Sequence, residues 1–154
     1  LEEDGLVLAE SVASNRYLAK RHGGDLGPKD AAEEALMGQW GRYGATAIEG
    51  PAVSILFVHA EARATTSDGA AELAEASEKL RRPLKVLDSH LARAGQMVGG
   101  RFTVADINMA EMVRYASAEA GLMAEFPAVG NWLKVLHDRP AFKAMWAMRL
   151  AEPA

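Results

Sequence analysis

Thr103-Val104-Ala105-Asp106 limits the fold of this chain more than any other stretch. A threonine followed three residues later by an acid is a capping box. The hydroxyl serves the exposed N–H near residue 106, and the Asp106 carboxylate reaches back to the Thr103 N–H. Aspartate is shorter than the usual glutamate, so the turn it closes is tight. Phe102 before the cap and Ile107 after it are spaced for a hydrophobic staple. Behind the box, Ile107, Met109, Ala110, Met112 and Val113 leave few polar faces. The pattern predicts a buried helix at the centre of an all-helical domain.

The flanking sequence agrees. Asp30 begins a helix with Leu36, Trp40, Tyr43 and Ala47 on one stripe. Gly50-Pro51 kinks or breaks it, and 52–63 continue it. After a turn and cap at 65–69, a long helix carries Leu73, Leu80, Leu84, Leu87, Leu91, Ala94 and Val98, bent at Pro83 and ended by Gly99-Gly100. Pro127 and Pro140 each open a closing helix. The start reads differently. Asp4-Gly5 is a strong turn pair, and Leu6-Val7-Leu8 has the look of a buried strand with no matching strand later in the chain. Ser11 is placed to cap a helix running to Gly23-Gly24.

Composition narrows the chemistry. The 154 residues are 49% hydrophobic and 25% charged, with a net charge of -4 and both signs mixed along the chain. That balance supplies no electrostatic attraction to nucleic acid or to an anionic membrane. With no cysteine, disulfides, thiolate metal sites and a cysteine nucleophile are excluded within these residues. The first residues are acidic, unlike a signal peptide, and the apolar run 52–58 is too short to span a bilayer. The expectation is a soluble, cytoplasmic protein. His22, His59, His90 and His137 share no metal-ligand spacing, so no metal is expected.

Three segments carry a family resemblance. Gly99-Gly100-Arg101-Phe102-Thr103-Val104-Ala105-Asp106-Ile107 resembles the central-helix signature of the glutathione transferases. Leu6 to Ala13, followed by Tyr17-Leu18, is similar to the last strand and third helix of that family's thioredoxin-like domain. Phe126-Pro127, Trp132 and Arg139-Pro140-Ala141-Phe142 resemble its closing helices. The three stand in the family's order and together span the chain. The resemblance implies that residues 1–24 are a remnant of a thioredoxin-like N-terminal domain (last strand and helix). Residues 25–154 would then be the all-helical C-terminal domain, a bundle of the glutathione-transferase type. The group that activates the glutathione thiol lies earlier in the thioredoxin-like domain, so no catalytic residue is expected in this sequence.

The function the resemblance implies is conjugation of the glutathione thiolate to an apolar electrophile, by a homodimer that uses glutathione as co-substrate. The residues suggest where each part would go. Ser11 at a helix start offers a hydroxyl and the positive helix end to a carboxylate, and Glu10 beside it can accept from an ammonium. The γ-glutamyl end of glutathione presents both ions, and by resemblance Glu10 and Ser11 bind it. By the same resemblance Tyr43, Thr46, Ala47 and Gly50 line the hydrophobic substrate site, and the helix from Asp30 contributes with the next one to the dimer. Gly38, Gly41 and Gly44 each cost about 1 kcal/mol against alanine in a helix, which calls for close approach of a partner helix or an open cleft wall. The competing reading is a non-catalytic helical interaction module of the same fold.

Overall fold

The structure, a computed structural model, describes residues 1–152. It opens with an antiparallel hairpin of β1 (Glu2–Glu3) and β2 (Leu6–Val7), in register Glu2 with Val7 and Glu3 with Leu6. Asp4 and Gly5 both take positive φ, 50° and 82°, the geometry of a two-residue hairpin turn. The turn pair thus behaves as its sequence predicts, and β2 finds its partner in the acidic residues before it. Both of its side chains, Leu6 and Val7, stay exposed.

Helix α1 (Ser11–His22) comes next, and its start differs from expectation. Glu10 is the cap: its Oε2 accepts the Ala13 N–H at 2.8 Å, and Ser11 is the first helical residue. The longer carboxylate reaches the third N–H of the turn from the extended position before it. Asp30 caps α2 (Ala31–Tyr43) as predicted, accepting from the Glu33 N–H at 2.8 Å.

Between α2 and α3 (Glu49–Ala60) the helix neither breaks nor continues regularly. It widens into a π turn over Gly44–Ile48, so Pro51 falls within the first turn of α3. The buried face of α2 is Met37, Trp40 and Gly41, and Gly44 and Ile48 are buried in the π turn. Leu36, assigned to the buried stripe by sequence, is exposed. The glycines explain the offset. Val12 Cγ1 of α1 lies 3.0 Å from where a Gly41 Cβ would sit, Arg16 approaches Gly38 at 3.5 Å, and a methyl on Gly44 would overlap the sulfur of Met112. Close approach by neighbouring helices accounts for the stripe. The pattern weighs hydrophobic side chains, and here the contact face has none.

Helix α4 (Ser67–Ala94) is capped by Thr66 and runs through Pro83 without interruption. It ends earlier than expected, at Gly95 in the left-handed conformation (φ 71°), which leaves Val98 buried in the following loop. Leu80, Leu84, Leu87 and Leu91 face the core. Helix α5 (Val104–Arg114) is central, with Val104, Ala105, Asp106, Asn108, Met109, Ala110, Met112 and Val113 all buried. A 3₁₀ turn (Tyr115–Ala118) and the short α6 (Ala120–Ala124) lead to α7 (Pro127–His137) and α8 (Pro140–Ala151), both with proline in the first turn. No residue of α8 is buried. Among the described residues, no helix is long and apolar enough to cross a membrane.

Candidate functional site

The capping box closes around a fully buried carboxylate. Asp106 Oδ2 accepts the Thr103 N–H at 2.9 Å and the Thr103 hydroxyl at 3.0 Å, and both arms of the box are present. Its other oxygen takes two donors from elsewhere, the Met97 N–H at 2.9 Å and the Trp132 indole N–H at 3.0 Å. With no exposed surface and four donors, Asp106 joins the loop after α4, the start of α5 and the middle of α7. Its four bonds, made with no exposed surface, are those of a residue that holds structure.

A polar cluster lies on another face of α5. Asn108 is only 5% exposed, and its Oδ1 accepts from the Asn15 amide at 2.7 Å, across 93 residues of sequence. That bond holds the first turns of α1 to the central helix. Above it a partly enclosed recess of about 200 Å³ is lined by Ser11, Asn15, Glu49, Asn108, Glu111 and Tyr115, with Val12 and Met112 as its apolar wall. Ser11 therefore sits where α1, the start of α3 and α5 converge. Its hydroxyl points to Glu10 Oε1 at 3.5 Å. The Glu10 carboxyl is held below its ordinary range, first by the Ala13 N–H and then by the other donors of the turn. Glu111 is engaged by Arg114, whose Nε and Nη2 lie 3.0 and 2.8 Å from Oε2.

The residues expected to line an apolar cleft are placed separately from this recess. Tyr43 turns toward α4, with its hydroxyl 3.5 Å from the Pro83 carbonyl and its ring edge-on to Trp40. Thr46 is exposed, and its hydroxyl donates to the Arg42 carbonyl at 2.9 Å. Ala47 is half-buried, and Gly50 faces open space. From the same stretch Glu49, the first residue of α3, reaches the recess.

Arg101, the third residue of the signature, reaches back to the connector between α1 and α2. It pairs with Glu33 through two bonds of 2.7 and 2.8 Å, and donates to the Asp25 and Gly27 carbonyls at 3.1 and 2.8 Å. The guanidinium, with the Lys29 N–H second, drives the Glu33 carboxyl down to about 2. A further apolar pocket of about 540 Å³ lies between α5, α7 and α8, walled by Phe102, Ile107, Leu136, Phe142 and Met145. The Arg139 guanidinium rests on Phe102 at 3.7 Å beside it. The histidines scatter: His22 meets Glu3, His59 meets Glu119, His90 packs on Trp40 and His137 stacks on Phe142. Among the described residues, no cluster of three metal-ligating side chains forms.

The hairpin and α1 form a β/α lead-in, α1 packs against α5 of the helical bundle, and a polar recess lies where they meet. Residues 45–140 match the family model for the glutathione S-transferase C-terminal domain. The chain is 32% identical over 155 residues to glutathione S-transferase 3 of Zea mays, an alignment covering 96% of this chain and 69% of that protein. The structure of glutathione S-transferase III in apo form superposes with a TM-score of 0.79 at 31% identity, over 99% of this chain and 73% of that one. Elongation factor 1-gamma of Bos taurus is 27% identical over 151 residues, 93% of this chain but 32% of its own length. The chain belongs to the glutathione S-transferase family.

Proposed function

We propose that this chain supplies the glutathione-head and substrate-cleft half of a glutathione transferase, conjugating the glutathione thiolate to an apolar electrophile. The observation that carries this reading is the position of Ser11: first residue of α1, on the rim of a polar recess where α1, α3 and α5 meet. There its hydroxyl and the open N–H groups of a helix N-terminus receive the γ-glutamyl carboxylate, and Glu10 fixes the turn that presents them. Residues 1–24 are read as the close of a thioredoxin-like domain and residues 25–154 as the helical domain. No residue of this sequence is assigned the activation of the thiol, so the 154-residue chain binds glutathione without conjugating it. Tyr43, Thr46, Ala47 and Gly50 stay assigned to the substrate side, and a cytoplasmic homodimer completes the reading. The likeness to named transferases supports it.

Calorimetric titration with glutathione is the test. Binding should weaken roughly tenfold in Ser11→Ala, the loss of one hydrogen bond to a charged group, with the unfolding midpoint unchanged. Equal affinity in the two proteins would remove Ser11 from the site.

The match to elongation factor 1-gamma favours a second reading, a non-catalytic interaction module. Binding of a protein partner by a chain that ignores glutathione would select it.

A further inference from the structure

We propose that His137 is an acid-operated latch between the last two helices: when its ring takes up a proton, α8 leaves α7 and uncovers the apolar pocket beneath it.

Helix α8 is lightly attached. None of its residues is buried, and its main neighbour in the bundle is α7. Met148 and Leu150, at 74% and 72% exposure, add nothing to its hold. What fixes it is a run of ring contacts. His137, at the end of α7, stacks on Phe142 with the rings 4.3 Å apart and 21° from parallel. Phe142 in turn lies nearly parallel to Trp146 at 5.9 Å, and the Arg114 guanidinium of α5 closes the run 4.7 Å from the Trp146 ring. An element held by so few contacts opens locally at a small fraction of the free energy of global unfolding. A change at its first contact is therefore enough to move it.

The second observation is the seal around His137. Its Nε2 is shut off from solvent and has no partner among the described residues, and the ring borders the pocket walled by Phe142 and Met145. A neutral ring leaves one nitrogen unmatched there. An imidazolium carries a charge and two N–H donors. Stacking on Phe142 attracts the charged ring, but by less than an unmet charged donor costs.

The charges that face the ring do not relieve it. Burial already works against the proton; Glu111 of α5 favours it and Arg114 opposes it, and these two are paired with each other at 2.8 Å. Asp138 also favours it, but is drawn to Lys143 of α8 at 2.9 Å. Lys134, one turn back on α7, and Arg139 bring positive charge. Among the described residues, the 3₁₀ turn and α6 bring no titratable group to the hollow on the other side of the ring. The charged ring gains water when Phe142 withdraws, and the helix that carries Phe142 has little else to keep it.

The test is hydrogen–deuterium exchange of the α8 amides, corrected for intrinsic rates and read against those of α4, from about pH 7.5 to about pH 5. On acidification, the protection of α8 in the wild type should fall at least about fivefold more than that of α4. His137→Phe keeps the stack without the proton, and His137→Gln is neutral throughout; both should show no such extra fall. Phe142→Ala should lose α8 protection at both ends of the range. Fluorescence of anilinonaphthalene sulfonate, which reports exposed apolar surface, should rise with the opening in the wild type. Equal loss in α4 and α8 would make the acid effect global and overturns the latch. An extra fall that persists in His137→Phe and His137→Gln overturns it by assigning the effect to another group. A dye signal that stays flat while α8 opens overturns the uncovering of the pocket.

Discussion

The indole N–H of Trp132 ends on the carboxylate of Asp106, 3.0 Å away and 26 residues earlier in sequence. A residue whose sequence signature is a helix cap is therefore also the anchor of α7. Replacing Asp106 by alanine strands the Met97 and Thr103 N–H groups and the indole in a site with no solvent access. At about 1–3 kcal/mol per orphaned donor, the variant should lose at least about 3 kcal/mol in urea unfolding. Trp132→Phe, which removes one donor and leaves the others paired, should lose about 1–2 kcal/mol. A cost for Asp106→Ala near that of an ordinary cap, about 1 kcal/mol, would contradict the joint role.

The glycines of the α2–α3 rod divide into two kinds. Gly41→Ala meets Val12 and Gly44→Ala meets Met112, so both should destabilise although alanine is the better helix former. Gly50→Ala meets nothing within 4 Å and should stabilise by about 0.5–1 kcal/mol. Thermal unfolding of the three variants checks the opposite signs. A stabilised Gly44→Ala would mean that α5 packs less closely than the structure has it.

Glu33 sets an acid limit. Its carboxyl is lowered to about 2 from 4.5, chiefly by Arg101, so the unfolded chain takes up this proton at higher pH than the folded one. Its contribution is complete above pH 4.5 and is lost as pH falls through about 2. Stability measured by urea between pH 2 and 6 should fall less steeply in Arg101→Ala than in the wild type. Parallel curves would remove the pair as the cause.

His137 works in the same direction from a different origin. Burial foremost lowers its pKa below 6.5, and Nε2 has no partner among the described residues. Folding therefore favours the neutral ring, and the chain loses stability as pH drops below 6.5 because the unfolded state is protonated first. The ring stacks on Phe142 at 4.3 Å, which places the effect at the junction of α7 and α8. Proton NMR should give a midpoint below 6.5; a midpoint at or above that value would contradict burial as the cause.

The fold was legible in sequence where the signal is local. The caps at Asp30 and Thr103, the turn at Asp4-Gly5, the prolines opening α7 and α8, and the leucine face of α4 depend on neighbours within a turn or two. What escaped depends on distant groups. Helix α7 has no cap of its own; Asp88 of α4 accepts from the Ala128 and Val129 N–H groups at 2.8 and 3.1 Å. Arg101 reads as one member of a motif, but its partners lie about 70 residues back, at distances in sequence of 68 to 76. At the site, the pairing of Glu10 with Ser11 was visible and its division of labour was not. Either side chain can cap a helix, and the backbone at residue 10 decides which does.

The π turn over Gly44–Ile48 also bears on how variants of this chain are to be designed. One residue is about 100° of rotation on an α-helix. At that step a wheel drawn unbroken from Met37 keeps Ile48, Ala52, Ile55 and Val58 within about 60° of Met37, on the side that is buried, so the buried side of the rod runs on through the π turn. Libraries patterned on such a wheel would keep apolar residues at Ile55 and Val58, which are fully buried.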